Sequence, residues 1–146
     1  MKVLIAVFIM MFSHYCHASD VRWNDDGINW YSYEDGLKEA KASNKPIFSV
    51  FYTNWCPHSH AYSALFYDRS VVQQSKNFVM VKIDRDQQPD VNLKYGAHGI
   101  YIPRTVFLDS DGGAKYQINS GRQEYPHFID YASPDELLQL MQDSLR

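Results

Sequence analysis

Residues 54–60 read Asn-Trp-Cys-Pro-His-Ser-His, and Cys56 is the side chain there with covalent chemistry to offer. A cysteine is a nucleophile in its thiolate form. Pro57 suits the first position of a helix, where a missing N–H costs nothing, so Cys56 is predicted at a helix N-terminus. Unpaired backbone N–H groups and the positive end of the helix dipole favour the anion there. A protonated His58 adds to that effect. Ser59 can donate its hydroxyl to the sulfur without bonding it covalently. Cys56, His58 and Ser59 are therefore the candidate catalytic residues. A dithiol motif would carry its second cysteine where Ser59 stands. In such a motif the first sulfur attacks a substrate disulfide and the second releases the mixed disulfide. Here attack is available and internal release is not. Release falls to an external thiol or to a second thiol of the substrate, which amounts to isomerisation.

The cysteine count sharpens this. The chain has 146 residues and two cysteines, Cys16 and Cys56. Lys2, the apolar run Val3–Phe12 and the Cys16-His17-Ala18 end read as a signal peptide over residues 1–18. The run is too short to span a bilayer comfortably. Cleavage after Ala18 discards Cys16 and leaves Cys56 alone in a domain of residues 19–146. Export to the cell exterior or a bacterial periplasm is expected. The terminal Asp-Ser-Leu-Arg is not a retention tetrapeptide of the endoplasmic reticulum. A single exported cysteine flags a reactive thiol or a disulfide-linked homodimer.

Other chemistries fit less well. The net charge of −3 and the lack of a Lys/Arg block exclude nucleic acid and anionic membranes as obvious partners. Cys56 and His60 share a helix face, but His98 and His127 stand isolated in sequence, too few ligands for a metal. No cofactor is called for. Nothing visibly orients a histidine for Cys–His hydrolysis. His60 reads as an exposed helix residue.

The elements that must hold Cys56 follow from pattern. Asp20–Asn29, polar apart from Trp23 and Ile28, reads as a lead-in. Ser32-Tyr-Glu-Asp35 resembles a capping box opening a helix that Asn44-Lys-Pro46 stops. Ile47–Tyr52, nearly continuously apolar, predicts a strand buried on both faces. The helix after Cys56 turns Ala61, Ala64 and Leu65 inward, with Ser70 capping a continuation. Phe78–Asp84 is a second strand, Pro89–Tyr95 a short helix ending at Gly96, and Arg104–Leu108 a third strand. Ser110-Asp-Gly-Gly113 turns into a fourth strand over about Ala114–Asn119. Ser133-Pro-Asp-Glu136 caps a last helix with a capping box and an N1 proline, burying Leu137, Leu138, Met141 and Leu145. The order α, β, α, β, α, β, β, α predicts one α/β domain, a mixed sheet of about four strands flanked by helices.

These motifs in this order resemble the thioredoxin superfamily: a strand, then Trp-Cys-Pro-His-Ser, then Val81-Lys-Ile-Asp84, Lys94-Tyr-Gly-Ala-His-Gly-Ile100 and Ile102-Pro-Arg-Thr-Val-Phe-Leu-Asp109. The anterior-gradient proteins, single-domain thioredoxin-like proteins of the endoplasmic reticulum, and exported bacterial members look most similar. The resemblance implies a thioredoxin-like fold and a cis Ile102–Pro103 bond facing the sulfur. It also implies a client-binding shelf of Trp55, Pro57, Tyr101, Ile102 and Pro103, with thiol- or disulfide-bearing proteins, and glutathione, as partners. Two departures stand out: Ser59 replaces the resolving cysteine, and Val50 replaces the buried aspartate that thioredoxin carries six positions before its first cysteine. Three functions are compatible with the chain: monothiol disulfide exchange, a peptide-binding or chaperone module whose cysteine is incidental or dimerising, and glutaredoxin-like chemistry. Export argues against the last.

Overall fold

The computed structural model describes residues 19–146; the leader read at 1–18, with Cys16, lies outside the described residues. Four strands form one sheet: β1 (Trp30–Tyr31), β2 (Ile47–Tyr52), β3 (Val79–Asp84) and β4 (Arg104–Leu108), in the order β1-β3-β2-β4. β2 runs parallel to β3, with Phe51 opposite Ile83, and antiparallel to β4, with Phe51 opposite Arg104. The helices are α1 (Tyr33–Ser43), α2 (Pro57–Ser63), α3 (Arg69–Ser75), α4 (Pro89–Lys94) and α5 (Asp135–Ser144), with a 3-10 turn at Ala64–Tyr67.

Both faces of the sheet are covered, as the apolar run of β2 demands. Phe48, Val50, Met80 and Phe107 point into one core with residues of α2, α3 and α5. Ile47, Phe51, Val81 and Leu108 point into the other, against Tyr33, Ala40 and Tyr95. Alternation along each strand assigns neighbouring residues to opposite layers. The first core is aromatic at its centre. Trp23, 1% exposed, meets Tyr52 at 5.0 Å, Phe66 at 5.5 Å, Trp30 at 5.7 Å and Tyr62 at 6.4 Å, all edge to face.

Several local expectations are corrected. The fourth strand is β1 at the opposite edge, and the expected hairpin at 114–119 shrinks to a single Leu108–Ala114 bridge. The reason is competition for the edge of β4, where the Thr105 N–H donates instead to the carbonyl of His127 at 2.9 Å. In the lead-in, Val21 too is buried in the first core, beside Trp23 and Ile28. α2 turns Tyr62 and Ser63 inward, followed by Leu65 and Phe66, while Ala64 is exposed. Asp68, not Ser70, caps α3, accepting from the N–H groups of Ser70 and Val71 at 2.8 and 3.2 Å. α5 buries Leu137, Leu140, Met141 and Ser144, while Leu145 is exposed. Its expected capping box is open, because Glu136 turns away to Arg122 (2.8 Å) and to the Asp130 N–H (2.6 Å). Pro134 stands one place earlier than expected, before the first helical residue. Ser32 does cap α1, accepting from the Asp35 N–H at 3.2 Å.

Candidate active site

Three connections leave the same end of the sheet: Thr53–Cys56 after β2, Arg85–Gln88 after β3, and Gly96–Pro103 before β4, since β4 runs opposite to β2 and β3. The motif loop and the proline loop, far apart in the chain, are brought together this way. The Ile102–Pro103 peptide bond is cis.

Cys56 is the N-cap residue of α2 in extended conformation, with Pro57 at the first helical position. Its carbonyl accepts from the Ser59 N–H at 3.0 Å and the His60 N–H at 3.3 Å, closing the first turn. Cys56 as a residue is only 5% exposed, more deeply buried than its polar surroundings in sequence suggest. Ser59 is fully buried, and its hydroxyl has no hydrogen-bond partner, so the expected O–H to sulfur bond is not formed.

His58 is exposed, and its Nδ1 lies 2.7 Å from the hydroxyl of Tyr131. His60 is half-buried rather than exposed. Its Nε2 lies 2.6 Å from the carbonyl of Asn54, which can only accept, so the proton of His60 resides on Nε2. The Asn54 side chain in turn accepts from the Val21 N–H at 3.1 Å. The loop before the cysteine is thus pinned from both sides.

Trp55 is 58% exposed and held in place. Its indole N–H donates to Asp86 at 2.7 Å, and the Arg85 guanidinium lies 5.6 Å from its ring centroid. Pro57 is exposed, Tyr101 and Ile102 are half-buried, and Pro103 is buried. The exposed Ile100 and Tyr125 extend the apolar surface beside them. Tyr125 meets Tyr101 edge to face at 5.0 Å.

Behind the proline loop, Arg104 is 1% exposed and no carboxylate pairs with it among the described residues. It donates to the side chain and carbonyl of Asn92 at 2.7 and 2.9 Å and to the Tyr101 carbonyl at 3.1 Å, with the Phe51 ring 4.0 Å away. Burial lowers its pKa to about 10. His98 and His127 are not isolated. His98 Nδ1 and His127 Nε2 are 3.0 Å apart, with ring planes 7° from parallel. His127 Nδ1 is buried without a partner. The backbone N–H of His127 donates to the Tyr101 hydroxyl at 2.7 Å. No group of three or more metal-ligating side chains gathers among the described residues.

Tyr131, Asn54, Arg85 and Asp86 belong to this neighbourhood and are absent from the sequence-based site. Asp86 and Arg85 follow a strand end, a place where functional side chains gather. No spacing signal could have linked Tyr131 to His58.

The comparisons with known proteins fit this geometry. A family model described as thioredoxin-like matches residues 29–110. Anterior gradient protein 2 of Xenopus tropicalis is 30% identical over 84% of this chain and 74% of its own length. The human anterior gradient protein 2 homolog is 31% identical over 60% of this chain, and the match spans 49% of its length. Among solved structures, a disulphide isomerase from Xylella fastidiosa Temecula1 is 30% identical over 57% of this chain and 67% of its own, with a TM-score of 0.50. A thioredoxin from Thermus thermophilus covers 82% of this chain and 88% of its own at 19% identity with a TM-score of 0.62, a likeness of fold. With its motifs in the family's order, a helix begun by Cys56-Pro57 and a matching family model across more than half its length, the chain belongs to the thioredoxin-like family.

Proposed function

We propose that this protein exchanges disulfides with client proteins through one sulfur, as an isomerase- or reductase-like factor. The observation that carries the reading is Cys56 as N-cap of α2 at the sheet end shared with the Ile102–Pro103 loop. The Cys56 thiolate attacks one sulfur of a client disulfide. That S–S bond breaks, its electron pair leaves on the other client sulfur, and a mixed disulfide forms. A second client thiol or an external thiol such as glutathione then attacks the mixed disulfide and restores the Cys56 thiolate. A helix terminus contributes only about 0.3–1 kcal/mol to a nearby anion, so His58 beside it has room to matter. Trp55, Pro57, Tyr101, Ile102 and Pro103 form the shelf for the client backbone. The family, and the printed name of the Xylella protein, support exchange chemistry. The leader read at residues 1–18 supports export, and the anterior-gradient relatives are compatible with it.

The test is adduct formation. Wild type incubated with glutathione disulfide should gain the mass of one glutathione, removed by reductant, and Cys56→Ala should gain none. No adduct on wild type, or the same adduct on the variant, sinks the reading. The burial of Cys56 at 5% exposure favours a second reading, a peptide-binding or chaperone module with an incidental or dimerising cysteine. Client binding by Cys56→Ala equal to wild type, together with no wild-type adduct, would support it; a reducible dimer on a non-reducing gel would identify the cysteine as a cross-link.

A further inference from the structure

We propose that Tyr131 is a positioning residue for exchange at Cys56: it holds the His58 ring so that Nε2 is the nitrogen left to protonate the departing client sulfur. This rests on the exchange function proposed above.

The contact joins residues 73 apart in sequence, with Tyr131 Oη 2.7 Å from His58 Nδ1. His58 lies two residues beyond the sulfur, is exposed, and has no other ring hydrogen bond among the described residues. Its orientation therefore depends on what Tyr131 supplies. Tyr131 is fixed from behind. Its half-buried ring packs against the aromatic core and meets Phe128 edge to face at 5.8 Å. The segment carrying it is clamped to α5. Arg122 donates to the Phe128 carbonyl at 3.2 Å and pairs with Glu136 at 2.8 Å, Glu136 also accepts from the Asp130 N–H at 2.6 Å, and Ile129 is 3% exposed. A side chain locked by packing and by hydrogen bonds behind it is what a precise site requires.

The hydroxyl suits both charge states of the ring, because it can donate or accept. In the imidazolium form His58 Nδ1–H donates to Tyr131 Oη, and Nε2–H is free. When the Cys56 thiolate attacks, the client S–S bond breaks and its electron pair leaves on the far sulfur. The Nε2 proton passes to that thiolate. The neutral ring that remains keeps its proton on Nδ1, still donated to Tyr131 Oη, so the ring need not turn during the transfer. The products are a mixed disulfide at Cys56 and a free client thiol, with no added oxidant or reductant.

The experiment measures the rate of glutathione adduct formation on Cys56 from about pH 5 to pH 9, with glutathione disulfide as probe. It compares wild type, Tyr131→Phe, His58→Gln and the double variant. Nitrogen-15 NMR of the His58 ring runs alongside. Tyr131→Phe should slow the adduct roughly three- to tenfold near neutral pH and change the shape of its pH profile, a fraction of the 10²–10⁴ that a full general acid supplies. It should slow nothing further in the His58→Gln background and should shift the Nδ1 signal of His58. An equal slowing in the His58→Gln background, or an unaltered pH profile and Nδ1 signal in Tyr131→Phe, overturns the assignment while leaving exchange intact. No adduct on wild type instead overturns the exchange function itself.

Discussion

Ser59 occupies the place a resolving sulfur would take, and it does so at a cost. Its hydroxyl is fully buried with no partner, a situation that ordinarily costs about 1–3 kcal/mol. A thiol there would be larger, less polar and easier to desolvate, and it would restore a second nucleophile one helical turn from the first. Ser59→Cys is therefore expected to reduce insulin disulfides faster than wild type, and to keep or raise the urea midpoint. A variant whose introduced thiol bridges to Cys56 yet gains no reductase activity would place the loss elsewhere in the site, for example in the missing carboxylate at Val50. Val50 is fully buried, and Lys82, opposite it across β2 and β3, is drawn outward into an ion pair with Asp25.

α1 lies against β3 through a glycine. Gly36 is buried, and a Cβ added there would overlap Val81 Cγ2. Val81 is 1% exposed and stiff at χ1, so it has nowhere to move. Alanine would recover about 1 kcal/mol of helix propensity, against roughly 1–3 kcal/mol for overpacking. Gly36→Ala should therefore lower the urea midpoint with little effect on adduct formation at Cys56, because α1 sits in the layer opposite α2. A higher midpoint would show that the two elements separate more easily than their packing implies. The long connection from β4 to α5 acts as an element in its own right. It covers the edge of β4 through the carbonyl of His127, reaches the proline loop through the backbone N–H of His127 on Tyr101, and meets the active-site helix through Tyr131.

Across the whole molecule, that connection ties stability to pH. Burial first, then His98 and Arg104, hold the pKa of His127 down to about 4, while the backbone of Thr105 opposes them weakly. The groups facing it are His98 and Tyr101 before β4, Arg104 on β4, and Tyr116 after it. None is a carboxylate. Since the unfolded pKa is about 6.5, the unfolded chain takes up the proton first as pH falls. Stability that is fully present above about pH 6.5 is lost between there and about pH 4, to a limit of about 3 kcal/mol. The urea midpoint of wild type should fall more steeply than that of His127→Gln over this window. Parallel curves for the two would remove His127 as the cause.

From sequence alone, the motif could be read because its chemistry is local. Pro57 at the first helical position, the apolar run of β2 and the two strands after it all express preferences that act within one or two turns or along one strand. The sequence equally determines that the domain from residue 19 onward carries one sulfur nucleophile. What only the tertiary structure decided lies at chain separations that no periodicity spans. His127, not a hairpin, takes the edge of β4, and Trp23 draws the lead-in into the core. Tyr131 reaches His58 across 73 residues. The physical reason is the same each time. Unpaired edge groups, buried rings and exposed imidazoles each take whichever partner the folded path brings within about 3 Å, and the path depends on the packing of both sheet faces together.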